Sequence, residues 1–253
     1  MGTVEYYRVA GDPTRPSLVF MHEGLGCAAG WGDYPRRLCE ASGCRGLIYS
    51  RFGYGGSSPA ALPRPVSFMH DEAEHVLPAL LDHLEVRAEV LVGHSDGGSI
   101  ALLHAGKHDP AGRVRGLILE APHLFVERIC VERIAGLREE YRQGALRERL
   151  MRRHGDRVDE AFGGWVDVWL RPEFRRWNIE SALPGIRCPV VAFQGNADPY
   201  GTLEQVERLA AGVSCPIEVI ELDGCGHQPH REAAAVTLAR SVQFLAKLPS
   251  AGE

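Results

Sequence analysis

The sequence predicts an α/β fold: a doubly wound, mostly parallel sheet of about seven strands, with a helical cap inserted after the strand at residues 116–120. Three observations predict it. Short apolar runs alternate with longer segments of helical period. The later runs are apolar at successive positions, as in strands covered by helices on both faces. One long stretch, residues 124–182, has helical period and no strand signal.

The elements follow in order. Residues 4–9 read as a first strand, closed by the turn-rich GDPTRP. Residues 17–21 and 46–50 are the second and third strands, and 90–93, 116–120, 189–194 and 217–222 complete the set. Between them, residues 68–84 place Val76, Leu77, Leu80, Leu81 and Leu84 on one stripe, with Ser67 as the expected N-cap. Residues 99–108, 203–211 and 232–248 read as further helices. The stretch 124–182 holds 12 arginines and 11 acids, which read as solvated helix faces laced with i,i+4 pairs. It cannot join the sheet. It is expected to lie over one edge of a core built from residues 1–123 and 183–253.

Composition narrows the function classes. The 253 residues are 45% hydrophobic and 24% charged, ordinary for a globular chain long enough to bury a core. Twenty-eight basic against 33 acidic residues give a net charge of −5, with no electrostatic footprint for nucleic acid. No apolar run approaches the roughly 18 residues that span a bilayer. The N-terminal MGTVEYYRVAGD has no apolar signal region, so a cytoplasmic protein without a membrane partner is expected. The seven cysteines are odd in number, scattered and without a C-x-x-C pair. They read as small buried residues in a reducing compartment, not as disulfides or a zinc site. A monomer or homodimer acting on a small molecule fits this composition.

The sharpest motif is Gly93-His94-Ser95-Asp96-Gly97-Gly98, which follows a strand and opens a helix. This is the G-x-S-x-G nucleophile elbow in its required context. The turn is tight, so small residues must stand two positions either side of Ser95. A serine hydroxyl needs a base, and the elbow demands an acid and then a histidine further along the chain. Asp198 in GNADPY and His227 in GHQPH stand just past strands in that order. His227 would take the Ser95 proton, and Asp198 would hold the imidazole tautomer. His230 is the competing base and Glu120 the competing acid. Donors for a tetrahedral oxyanion are expected from the backbone N–H of Asp96 and from the loop His22-Glu23-Gly24-Leu25-Gly26, with Gly24 favoured over Glu23.

The motifs HEGLG, SRFGYGGSS, GHSDGG, GNADPY and GHQPH together resemble the α/β-hydrolase superfamily, in its group with a helical cap. The resemblance implies a mostly parallel sheet, hydrolysis through an acyl-enzyme, no metal and no organic cofactor. Three features depart from the superfamily pattern. Ser50-Arg51 stands where an aspartate usually begins the G-x-G-x-S turn, Glu23 stands where the oxyanion loop usually has glycine, and Asp96 follows the nucleophile. Two carboxylates beside a site that stabilises negative charge call for a cation. Arg51 is expected to pair with Glu23 or to reach the substrate.

The resemblance narrows the reaction. Dehalogenases and epoxide hydrolases of this fold use an aspartate at the elbow, so Ser95 argues against both. The leading expectation is a serine hydrolase of a carboxylic ester, thioester or lactone. Phe125, Phe162, Trp165, Trp169 and Trp177 are the candidate pocket walls. The alternatives are a carbon–carbon hydrolase of aromatic ring-cleavage products and a non-catalytic binder of the same fold.

Overall fold

A computed structural model describes residues 2–86, 89–109 and 111–248. The order is β1 (Tyr6–Val9), β2 (Ser17–Met21), α1 (Tyr34–Ser42), β3 (Arg45–Tyr49), α2 (Phe68–Asp71), α3 (Leu77–His83), β4 (Glu89–His94), α4 (Asp96–Leu103) and β5 (Val114–Glu120). Then come α5 (Arg128–Arg142), α6 (Ala145–His154), α7 (Val158–Trp169), β6 (Val190–Gly195), α8 (Glu204–Gly212), β7 (Ile217–Leu222), α9 (Pro229–Glu232) and α10 (Ala234–Ala246).

The seven strands form one sheet in the order β1-β3-β2-β4-β5-β6-β7. β1 runs antiparallel to β3, and every other pairing is parallel. The uniformly apolar runs have the predicted cause. On β2, Val19 and Met21 enter one core while Leu18 and Phe20 enter the other, and all four are fully buried. Helices α2, α3 and α4 supply the first core, and α1 and α10 the second. Burying each such side chain stabilises the sheet by about 1.5–3 kcal/mol.

The helix expected over 68–84 is two helices joined by a π-turn at Glu72–Val76. Pro78, in the first turn of α3, has no N–H to give to the preceding turn, so the helical ladder is interrupted there. Val76 is consequently only half-buried. Ser67 does not cap the helix. Its backbone is not extended, and its hydroxyl donates to the Asp71 carboxylate at 3.0 Å.

Between β5 and β6 the chain is helical, and an isolated bridge between Phe125 and Asn178 draws its two ends together. Part of its charge is laced i,i+4 as expected, with Arg128 on Glu132 at 2.8 Å, while other pairs tie one helix to another. Arg138 ties α5 to Asp167 of α7 at 2.7 Å, and Arg147 ties α6 to Asp159 of α7 at 2.7 Å. Such exposed pairs contribute about 0–1 kcal/mol each. The weight of the packing falls on the buried Ile134, Leu137, Leu150, Phe162, Trp165 and Trp169.

Candidate active site

Ser95 sits between the end of β4 and the first residue of α4, at φ 54° and ψ −119°. This left-handed backbone costs a side chain about 1–3 kcal/mol, so the surroundings must hold it. They do so by close approach. A Cβ on Gly93 would stand 2.5 Å from the Gly97 carbonyl oxygen, and one on Gly97 would stand 1.9 Å from that of Met21. The Ser95 N–H donates to the Glu120 carbonyl at 2.9 Å, and the Ser95 carbonyl accepts from Ser99 N–H at 3.0 Å. The serine is therefore presented at the N-terminus of α4, where the helix dipole favours negative charge.

The loops after β6 and β7 deliver Asp198 and His227. His227 Nδ1 lies 2.7 Å from Asp198 Oδ2. The same carboxylate oxygen accepts from Gln194 Nε2 at 3.0 Å, and Oδ1 accepts from the Tyr200 N–H at 2.8 Å. Burial raises the Asp198 pKa, but the charge and hydrogen bond of His227 and the Tyr200 N–H outweigh it and hold the carboxyl below its ordinary value. An ionised carboxylate only accepts, so Nδ1 carries the proton and Nε2 is the basic nitrogen. His94 Nε2 donates to the His227 main-chain carbonyl at 2.6 Å, and the Tyr200 ring lies 4.5 Å from the imidazole.

A cavity of about 680 Å³ joins these groups. Ser95, His227, Glu23, Gly24, Trp165 and Trp169 all stand on its wall, while Asp198 lies behind His227. Its size suits a small molecule. The Ser95 hydroxyl makes no hydrogen bond among the described residues.

The loop 22–26, the candidate source of oxyanion donors, is held from beneath. The Glu23 carbonyl accepts from His22 Nδ1 at 2.7 Å and from Arg51 Nη2 at 2.9 Å. His22 Nε2 accepts the Arg51 main-chain N–H at 3.1 Å. Burial drives the His22 pKa well down, and both of its hydrogen bonds suit the neutral ring. A trans peptide points its N–H opposite to its carbonyl, so fixing the Glu23 carbonyl also fixes the Gly24 N–H. A Cβ on Gly24 would stand 2.0 Å from Trp165 Nε1, which itself donates to Asp96 Oδ2 at 3.2 Å.

Several expectations change here. Arg51 does not reach the cavity wall. It is 2% exposed, it holds the His22 and Glu23 carbonyls, and it lies 3.7 Å from the Asp96 carboxylate. Its link to Glu23 is through the carbonyl and not the carboxylate. The Glu23 carboxylate lies 3.7 Å from His94 Nδ1 and 3.4 Å from Arg153 of α6. The Asp96 side chain is buried away from the cavity, and that burial raises its pKa against the pull of Arg51. Phe125 is not on the wall, because the Phe125–Asn178 bridge and the Arg208 guanidinium, 4.4 Å from its ring, occupy it. Phe162 stacks on Tyr141 and Trp177 on Phe174, also away from the cavity.

The competing base and acid are bonded to one another. His230 Nδ1 lies 2.6 Å from Glu120 Oε2, and both side chains are buried outside the cavity lining. The sequence reading missed His123, Tyr200 and Gln194. His123 is on the wall, 5.9 Å ring to ring from His227, and burial together with the His227 charge pushes its pKa down to about 3. Tyr200 had a signal, since it stands two residues past Asp198, and Gln194 ends the preceding apolar run.

Among the described residues no group of three or more His, Cys, Asp or Glu could hold a metal. Among the same residues, no helix is long and apolar enough to cross a membrane.

Comparisons with known proteins agree with this fold. The chain is 32% identical over 124 residues to a proline iminopeptidase of Lactobacillus helveticus, a match covering 48% of this chain and 41% of the relative. It is 35% identical over 114 residues to a 2-succinyl-6-hydroxy-2,4-cyclohexadiene-1-carboxylate synthase of an Enterobacter species, covering 45% and 40%. The matched stretches thus span less than half of these curated relatives. Among solved structures, an esterase from Exiguobacterium antarcticum superposes with a TM-score of 0.76 at 18% identity, covering 97% of this chain and 96% of that one. The enol-lactonase from Burkholderia xenovorans LB400 gives 0.74 at 18% identity, covering 96% of each. These two likenesses are likenesses of fold. The sequence model of the alpha/beta hydrolase family matches residues 18–240, from the second strand into the last helix, and on that match the chain belongs to the alpha/beta hydrolase family.

Proposed function

We propose that the protein is a serine hydrolase that cleaves a small carboxylic ester, thioester or lactone through an acyl-enzyme. Ser95 is the nucleophile, His227 the general base and acid, and Asp198 the group that orients His227. The observation that carries the reading is the meeting of a strained Ser95 and an Asp198-bonded His227 on one cavity wall.

In this scheme Ser95 Oγ attacks the acyl carbon while its proton passes to His227 Nε2. The tetrahedral oxyanion is met by the N–H of Gly24 and of Asp96, with the Glu23 N–H as the alternative donor. The carbonyl reforms, the bond to the leaving oxygen or sulfur breaks, and His227 returns the proton to it. Water, deprotonated by the same nitrogen, then releases the acid and restores the serine. Residues 124–182 act as a cap over a core of 1–123 and 183–253, with Trp165 and Trp169 limiting substrate size.

A burst of p-nitrophenol from a short-chain p-nitrophenyl ester, abolished by Ser95→Ala, is the expected result. Ester turnover that persists in Ser95→Ala would overturn the reading, and a folded protein inert to ester panels would make it a binder. Faster cleavage of a vinylogous diketone than of simple esters would assign carbon–carbon hydrolysis instead.

A further inference from the structure

We infer that the substrate is an anion, whose carboxylate or phosphate group is met by Arg149 and Arg152 at a distance from the bond being cleaved. The inference rests on the serine-hydrolase reading and adds a substrate class to it. Among the described residues five arginines line the cavity, against two acids, Glu23 and Glu232. The chain as a whole has a net charge of −5, so this excess of positive charge is local.

The asymmetry is sharpest in the helical insert. That stretch carries 12 arginines and 11 acids, yet it sends Arg133, Arg149, Arg152 and Arg153 to the cavity and none of its acids. The insert's arginines that face elsewhere are often paired, as in Arg138 with Asp167 and Arg147 with Asp159. On the cavity side, Arg133 is held by Glu140 and Arg153 by Glu23. Arg149 and Arg152 of α6 make no hydrogen bond or ion pair among the described residues, although Arg149 lies in the field of Glu140. Neither glutamate of the wall neutralises them. Glu232 accepts the N–H groups of Gly226 and Gln228, and Glu23 faces His94 and Arg153. Two unpaired guanidiniums one helical turn apart, both exposed to solvent where they line the cavity that holds Ser95, are donors suited to an oxyanion.

The test compares p-nitrophenyl hemiglutarate with its neutral isostere p-nitrophenyl 5-methylhexanoate, and adds p-nitrophenyl 4-phosphonobutanoate as the phosphorus counterpart. The expected kcat/KM ratio favours an anion by roughly tenfold at low salt and shrinks as ionic strength rises. The better of the two anionic esters identifies the carboxylate or phosphate source. In the Arg149→Gln/Arg152→Gln double variant the ratio falls toward one. Equilibrium binding of the same esters to Ser95→Ala gives a readout that does not need turnover. Salt-sensitive binding of an anionic ester that the double variant loses supports the anion site even if the protein hydrolyses nothing. Ser95-dependent turnover with equal ratios in wild type and double variant would overturn the inference while leaving the hydrolase reading intact.

Discussion

Arg51 Nη2 donates to the Glu23 main-chain carbonyl at 2.9 Å, and the same guanidinium lies 3.7 Å from the Asp96 carboxylate. One buried cation thus underlies both candidate oxyanion donors. It fixes the Glu23–Gly24 peptide on one side and lies against the side chain of Asp96, the residue after Ser95, on the other. The unusual residues at positions 23, 51 and 96 therefore meet through this arginine, although not in the carboxylate pairing that their types suggest.

Replacing Arg51 by Met should lower kcat about 10- to 100-fold with little change in KM, since losing one oxyanion donor costs about 100- to 1,000-fold. It should also destabilise the fold by about 3 kcal/mol, because Asp96 is left buried without its cation. Arg51→Lys, which keeps the charge but not the planar fork, should fall between. Steady-state kinetics on p-nitrophenyl acetate with parallel thermal melts check both parts. A rise in KM at constant kcat would mean that Arg51 touches substrate.

The elbow glycines differ in how much they tolerate. A Cβ at Gly97 would meet the Met21 carbonyl at 1.9 Å, whereas one at Gly98 would approach Pro122 Cβ at 3.0 Å. Gly97→Ala should lower the melting temperature by about 10 °C, matching a cost of roughly 3 kcal/mol for a chain of this size. Gly98→Ala should lower it by only a few degrees. Equal shifts in calorimetry would contradict the elbow packing.

His227 and His230 should separate cleanly. His227→Gln should reduce kcat/KM by at least about 1,000-fold while the fold persists. His230→Gln should leave turnover per folded molecule within about threefold yet destabilise the protein, since Glu120 would lose its imidazole partner. Kinetics with a chemical-denaturation curve for each variant decide the matter. The reverse pattern would assign the base to His230.

Glu89 opens β4, is fully buried, and has no hydrogen-bond partner for either carboxylate oxygen among the described residues. Burial pushes its pKa up from 4.5 to about 7. The folded state therefore favours the protonated form. Stability from this group is fully present below the unfolded value near 4.5 and is lost as pH rises through about 7. Glu89→Gln should melt several degrees above wild type at pH 8 and close to it at pH 5. Melts showing the same offset at both pH values would remove Glu89 as the cause.

Seven strands could be read from the sequence because β2, β4 and β6 are buried on both faces and so read as unbroken apolar runs. Ser95, Asp198 and His227 were legible because turn glycines and chain order mark them. The roles of Arg51 and Phe125 were not, since a side chain's partner depends on contacts between distant loops. Arg51 finds a carbonyl 28 positions away, and Phe125 meets Asn178. The π-turn before Pro78 was missed because apolar spacing does not register one lost backbone donor. The pairing of His230 with Glu120 joins positions 110 apart and leaves no local trace.

The most direct test of the central claim is labelling with a p-nitrophenyl alkylphosphonate, followed by peptide mass spectrometry of the inactivated protein. The account predicts one phosphonyl group per chain, on Ser95, with p-nitrophenol released one-to-one and no labelling of Ser95→Ala. A label on another residue, or ester turnover that survives complete modification of Ser95, would contradict it.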